Sequence, residues 1–264
     1  MVVRRLVHVG GTALALAMVG AVWAFPTAWV LFATFWHAGH FTVANLSETW
    51  AAAPFGRYAL NTAVIVGGLF VVQAVFGAVA GFVLARYPFP GKGVVTALFL
   101  LQVVVPVYAV LIQEYRIVEG LHLLNTKVGI MLPYAVSGIA VLTYRQAFRA
   151  VPRELEEAAR LDGYGTFGVF RHVYLPRALP ATLAFAVVSV TYHWTDFLWP
   201  LMVTDSDSAR PIAVGLAMLA QASEAGLQWR VLAAATAVVV VPVLALFAAF
   251  HRRILAALTT GLDW

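Results

Sequence analysis

Glu154-Leu155-Glu156-Glu157-Ala158-Ala159-Arg160-Leu161-Asp162-Gly163 is a charged run inside a chain that is otherwise almost uniformly apolar. Phe170 and Val173-Tyr174-Leu175-Pro176 follow it at short range. Pro152 suits the first turn of a helix, where its missing N–H costs nothing. Glu154, Glu156 and Glu157 then fall near the positive end of the helix dipole. Ala158 and Ala159 are strong helix formers, and their small side chains let another surface approach closely. Gly163 fits the left-handed position that ends a helix. Thr166 is placed to cap a second short helix carrying Phe167, Phe170 and Val173, which Leu175-Pro176 would stop. The expected product is a helix, a glycine turn and a second helix against a membrane face. Connections longer than about 12–15 residues usually have a task. Two readings fit the spacing: a docking surface for a soluble partner, or a solvated amphipathic connector lying on lipid headgroups.

The rest of the 264-residue chain sets that run in a bilayer. Hydrophobic residues make up 62% and charged residues 11%, where a soluble domain carries about 25% charged residues, and the mean hydropathy is +0.87. There is no cysteine, which excludes a disulfide framework, a thiol catalyst and a Cys-based zinc site. The net charge of +5 does not point to nucleic acid, because the basic residues are scattered beside apolar stretches without aromatic interleaving. Arg4-Arg5 followed by an apolar run from Val9 to Trp36 could pass for a signal peptide. That run is too long for the apolar core of one and lacks a clean cleavage site, so an uncleaved first span is expected.

A span needs about 20 apolar residues. Six stretches qualify, at 9–36, 59–85, 93–113, 128–148, 180–203 and 230–251. Arg86 with Pro88-Phe89-Pro90-Gly91 closes the second, and His251-Arg252-Arg253 the last. Pro211–Ala222 is apolar but too short to cross, so it should lie at the outer surface or pack on the bundle. With the N-terminus inside, 12 of the 17 Lys and Arg fall on the inner side. The bias places both termini and the 149–179 connection in the cytoplasm. The expected fold is an all-α membrane protein of six transmembrane helices, one domain over 1–264, without internal repeats.

The charged run resembles the EAA loop of the membrane subunits of binding-protein-dependent ABC importers. Glu157-Ala158-Ala159, three residues, Gly163, nine residues and then Val173-Tyr174-Leu175-Pro176 follow that pattern, with Val173 where the family usually has Ile. Pro88–Gly91, Leu124-Asn125-Thr126, Trp194–Pro200 and Arg210–Leu216 resemble the carbohydrate-importer branch, and its second, shorter permease in particular. The tail Ala257-Leu258-Thr259-Thr260-Gly261 is similar to that branch's terminal motif, with Ala257 replacing a glycine. Thr195 stands where the branch commonly has Asn, and the chain stops at Asp263-Trp264 where others run on.

The resemblance implies a permease of the bacterial inner membrane for a sugar or polyol phosphate. Its loop would be a coupling-helix pair against a homodimeric ATPase, with Glu154, Glu157, Ala158, Ala159, Asp162, Gly163, Phe170, Leu175 and Pro176 as the coupling residues. A second permease subunit and an extracytoplasmic solute-binding protein would complete the assembly. No cofactor would be bound by this chain, since ATP and Mg would be used by the ATPase partners.

Asp196 is the one carboxylate deep in an expected span, which is costly unless it meets a cavity or a partner. Trp194 and Trp199 flank it, and aromatic faces beside a carboxylate suit a polyhydroxylated ligand. Thr195, Tyr192, His193 and Asn61 are further candidates for a substrate path. All of these could instead bridge helices or form an aromatic belt.

The sequence offers no catalytic constellation. Gly91-Lys92 precedes Gly93 rather than Ser or Thr, so there is no Walker A, and no serine lies in a G-x-S-x-G turn. His37 and His40 lack an acidic third ligand nearby. An integral membrane enzyme would need clustered acids, His or Ser at one face. A self-contained channel or proton-coupled carrier would need a chain of intramembrane ionisable groups, where this sequence has essentially Asp196. An ABC permease for another solute, such as a polyamine, is the nearer alternative.

Overall fold

The computed structural model describes residues 2–224 and 229–259, so the end of the tail motif, Thr260-Gly261, and Asp263-Trp264 lie outside the described residues. Almost every element is helical, and the chain forms two compact units.

The first unit runs to Phe55 and includes Gly215–Pro242. Helix α1, Val2–Phe35, ends in a two-residue hairpin that pairs Trp36 with Phe41 and His37 with His40. The Trp36 ring packs 5.3 Å from Phe32 and edge-on 5.1 Å from Phe41. A helix C-terminus leaves carbonyls without partners, and Asn45 of α2, Ala44–Ala52, meets them. Its buried amide donates to Ala33 O at 3.2 Å, Thr34 O at 3.0 Å and Trp36 O at 3.2 Å. His37 Nδ1 shares a 2.9 Å hydrogen bond with Asn45 Oδ1, which gives this histidine a structural partner. Among the described residues no group of three metal-binding side chains is gathered. Thr49 Oγ1 bonds Val231 O at 3.1 Å, tying α2 to the returning chain.

The second unit holds Gly56–Val214 with the chain from Val243. Helix α3, Phe55–Arg86, has 32 residues, about 48 Å at 1.5 Å per residue, against a hydrocarbon core of about 30 Å. Helix α4, Lys92–Val104, stops before Pro106, whose ring pushes Val105 to extended backbone (ψ 123°). A 3₁₀ turn at Val107–Ala109 leads into α5, Leu111–Gly120. Helix α6, Lys127–Met131, continues as a 3₁₀ turn through Tyr134 and then bends by 51° into α7, Gly138–Arg149. Ser137 restarts the helix there, its Oγ accepting from Ala140 N at 3.2 Å.

Four short elements follow: α8, Arg153–Leu161; α9, Thr166–Val169; a π turn at Phe170–Tyr174; and α10, Leu175–Arg177. The chain then turns by 68° into α11, Leu179–Thr195, and after a break resumes as α12, Leu198–Val203. Helices α13, Ile212–Glu224, and α14, Trp229–Thr259, complete it. Ile212 and Val214 are fully buried, so the start of this short apolar segment is packed within the protein, while Met218 further along is 42% exposed.

Among the described residues, three helical segments are long and apolar enough to cross a membrane: Ala15–Phe35, Phe55–Arg86 and Trp229–Ala249. The two bent pairs raise that to five if each is one span. The expected spans at 93–113, 128–148 and 180–203 are therefore interrupted helices. Hydropathy registers the apolar run but not a break at Val105-Pro106, Ser137 or Asp196-Phe197.

A clamp closes one part of this unit. Tyr58 OH donates to Asp207 Oδ1 at 2.6 Å, Arg210 Nη1 meets the same oxygen at 2.6 Å, and Asn61 Nδ2 donates to Arg210 O at 3.0 Å. Asn125 Nδ2 donates to Ser206 Oγ at 2.7 Å. Tyr58 and Asn61 of α3 and Asn125, far apart in sequence, thus grip one loop at 206–210. Beside it Trp199 is buried among Ile65, Leu69, Leu111 and Val203, and its indole N–H donates to Ile130 O at 3.1 Å.

Candidate functional site

The connection after α7 is built as a cap, a helix, a glycine stop and a second helical segment. Pro152 sits at the N-cap of α8 (φ −57°, ψ 142°), one position before the expected first turn, and leaves Glu154 and Glu156 in that turn. The helix closes as a Schellman motif: Gly163 N donates to Arg160 O at 3.1 Å and Tyr164 N to Ala159 O at 3.0 Å. Gly163 has φ +86°, and a Cβ built on it meets nothing within 4 Å, so the requirement for glycine is conformational. The next helix begins at Thr166 with Gly165 in the cap position, not Thr166 as the hydroxyl suggested. Leu175-Pro176 does not stop it. The π turn just before re-phases the backbone, Pro176 occupies a first-turn position, and the chain stays helical to Arg177.

An aromatic core holds this connection to the helices. Phe82 of α3, Phe148 of α7 and Tyr174 of the π turn meet with ring centroids 4.9–6.0 Å apart. Val151, Ala159, Val169, Val173 and Ala178 fill in around them, with Phe170 partly buried against the cluster. The expectation that Ala159 shares the outward face with Ala158 is therefore corrected. Neighbouring residues on a helix point about 100° apart, and Ala159 is the one turned inward. Glu154, Glu157, Ala158, Asp162, Gly163, Leu175 and Pro176 are exposed.

Two residues outside the expected coupling set dominate the outer surface of this connection. Leu161 is 89% exposed and Phe167 73% exposed. Large apolar side chains held out by a rigid cap, beside Glu154, Glu157 and Asp162, form a mixed apolar and acidic contact face. Their positions on either side of the glycine turn were the available clue.

Glu156 belongs to the inner side. Burial alone would raise its carboxyl. Hydrogen bonds from Tyr174 (2.6 Å) and Arg160 (3.0 Å), with the charges of Arg160 and Arg86, outweigh that and hold it below the ordinary glutamate value. A depressed carboxylate contributes stability that is present above its unfolded value, about 4.3, and is lost as pH falls through the lower folded value. The Glu156 contacts therefore persist across the neutral range.

The second group of sequence-singled residues is divided by the structure. Asn61 and Trp199 are buried and committed to backbone carbonyls. Asp196 is not inside a helix: it stands at the C-cap of α11 in extended backbone (ψ 128°), where the helix breaks before Phe197. There it lines a small crevice with Tyr134, His193 and Thr62. Thr195 is exposed, with its hydroxyl returned to Thr191 O at 3.0 Å, and Trp194 is half-buried.

Tyr192 and His193 reach a larger cavity of about 770 Å³. Its polar floor is a connected set. Gln73 Nε2 donates to Tyr134 O at 2.7 Å and lies 3.1 Å from His193 Nε2, while Ser189 Oγ donates to Gln73 Oε1 at 2.8 Å. With Gln73 as donor, His193 Nε2 accepts and the ring proton rests on Nδ1. Gln102, Tyr108 and Glu114 complete the polar lining, and valines and leucines of α4 supply most of the rest. Among the described residues lining it there is no Lys or Arg.

These features agree with what the chain is similar to. It is 34% identical over 221 residues to the arabinooligosaccharides transport system permease protein AraQ of Halalkalibacterium halodurans, covering 84% of this chain and 76% of that protein. It is 29% identical over 249 residues to the diacetylchitobiose uptake system permease protein NgcG of Streptomyces coelicolor, covering 89% and 82%. Its fold matches a chain in the crystal structure of a bacterial ABC transporter involved in the import of the acidic polysaccharide alginate, with a TM-score of 0.79 at 17% identity over 91% of this chain and 94% of that one. Residues 74–259 match the sequence profile of the family described as binding-protein-dependent transport system inner membrane component, and the chain belongs to that family.

Proposed function

We propose that this chain is a permease subunit of a sugar ABC importer in a bacterial inner membrane. It crosses the bilayer six times with both termini and the 149–179 connection in the cytoplasm. It works with a second permease, a homodimeric ATPase that uses ATP and Mg, and an extracytoplasmic solute-binding protein. The observation that carries the reading is the contact face on the cytoplasmic connection: Leu161 and Phe167 project beside Glu154, Glu157 and Asp162 from a helix stopped by a left-handed glycine. A soluble ATPase would seat there, and its closure would shift the helices so that the cavity opens alternately to either side.

The cavity argues for an uncharged cargo. Binding a phosphate draws on Arg or Lys, and the lining offers amides, hydroxyls, tyrosine rings and the single carboxylate Glu114. An oligosaccharide matches that surface better than a polyol phosphate, although the related permeases include both oligosaccharide and glycerol-3-phosphate systems by name.

The test is purification of the tagged chain from native membranes in mild detergent, with partners identified by mass spectrometry. The recovered complex is then assayed for ATP-driven uptake in proteoliposomes. The expected outcome is an ATPase, a second permease and a binding protein, with uptake of neutral oligosaccharides and not of glycerol phosphate. Recovery of the chain alone, from a detergent in which a control importer stays intact, would refute the importer reading. Within that complex, Asp196→Asn and Trp194→Ala are expected to raise the KM for sugar, because both side chains flank the break beside the cavity. An unchanged KM in both variants removes these two residues from the path.

A further inference from the structure

Arg86 is the last residue of α3, and its side chain is only 9% exposed. A cation that buried needs partners, and the structure gives it partners at the exit of α7, on α8 and in the π turn. Its Nη2 donates to Val151 O at 2.9 Å, just after α7. Its Nε hydrogen-bonds the Tyr174 hydroxyl in the π turn, and the guanidinium carbon lies 4.9 Å from the centre of that ring. The Tyr174 hydroxyl in turn donates a hydrogen bond to Glu156 Oε2 on α8 at 2.6 Å, and that oxygen is 3.4 Å from Arg86 Nε. One side chain thus joins the end of α3 to α7, α8 and the π turn.

The same helix reaches the cavity. Gln73, the centre of the polar floor, lies 13 residues before Arg86, about 20 Å along a rigid rod. Phe82, between them, packs on Tyr174 with centroids 4.9 Å apart. Apolar packing of this kind resists separation but gives way to sliding. The forked hydrogen bonds of a guanidinium fix direction as well as distance.

We infer that Arg86 is the positioning residue that locks α8 to the end of α3, so that a displacement of the contact face moves the cavity wall carried by Gln73. This rests on the importer reading above. Without the lock, the ATPase still seats on Leu161 and Phe167 and still hydrolyses ATP, but the stroke dissipates in the loop.

The test measures ATP hydrolysis and sugar uptake side by side in proteoliposomes of the intact complex. Arg86→Met is expected to assemble and hydrolyse ATP at close to the wild-type rate while uptake falls about ten-fold. Tyr174→Phe keeps the ring in the aromatic core and deletes only the relay hydroxyl, so it separates positioning from packing; it should uncouple in the same direction. Arg86→Lys retains the charge but not the fork and should recover part of the uptake. Arg86→Met and Glu156→Gln combined should lose no more than the worse single variant, as members of one network do. The inference is overturned if hydrolysis and uptake fall in proportion in Tyr174→Phe, or if both stay at wild type in Arg86→Met and Tyr174→Phe. A wild-type complex that hydrolyses ATP without moving sugar would remove the importer reading, a result distinct from failure of the variants alone.

Discussion

Gly163→Pro is expected to bring uptake to background and to release the ATPase from the complex, while the chain still inserts and folds. Gly163 lies at φ +86°, and proline holds φ near −65°, so the turn cannot keep its path. The substitution also deletes the N–H that bonds Arg160 O and withdraws Tyr164 N from Ala159 O, so both bonds that close α8 are lost. The damage stays local, because a side chain at this position meets nothing within 4 Å. What changes is the relation between Leu161 and Phe167, which stand on opposite sides of the turn and must be presented together. Gly163→Ala keeps the N–H and costs about 1–2 kcal/mol for the left-handed backbone, so it should weaken association without abolishing it. Co-purification from membranes and proteoliposome uptake read both variants. A Gly163→Pro complex that retains the ATPase at the wild-type level would refute the docking role of this face.

The legible part of the molecule was the part whose chemistry is local. The α8 helix, its acidic first turn and its glycine stop follow from residues within a few positions of one another, and the structure departs from them only in caps: Pro152 before the first turn, Gly165 ahead of Thr166. Which face of α8 turned outward was not legible, since Ala158 and Ala159 are equivalent until the helix is packed on Phe148 and Tyr174. The breaks within apolar runs were missed: Pro106 carries a signal of its own inside a stretch read as one span, while Ser137 and Asp196 carry none. Of the cavity floor, His193 was legible as a candidate, but its meeting with Gln73 and Ser189 was not. Ser189 and His193 stand 116 and 120 residues from Gln73, and three isolated polar residues in apolar stretches do not declare that they meet. Arg86 was readable as the end of a span, but its four-element junction required the fold.

Gly81→Val should produce the opposite phenotype to Gly163→Pro: loss of the protein rather than loss of its partner. Helix α3 crosses α7 along Gly77 and Gly81, a spacing that puts both on one face. A Cβ at Gly81 would stand 2.8 Å from the backbone nitrogen of Arg145 and 2.8 Å from Tyr144 Cβ, and one at Gly77 2.8 Å from Ala140 Cβ. Those neighbours are backbone or rooted at it, so relief requires the helices to part. Parting them opens the aromatic core that begins at Ala78 and Phe82 and holds the 149–179 connection in place. Overpacking of a tight core costs about 1–3 kcal/mol where side chains can adjust, and here backbone must move, so the cost lies at or above the upper end. That is a large share of a stability of about 5–15 kcal/mol. Gly93→Val is the control, in an apolar helix with nothing within 4 Å of the new side chain. In detergent, the Gly81 variant should melt well below wild type and accumulate poorly in membranes, with the Gly93 variant unchanged. Equal melting of the two would mean that α3 and α7 do not cross at these glycines. Because Arg86 lies little more than one turn beyond Gly81 on the same helix, such a result would also withdraw the geometry on which the coupling lock depends.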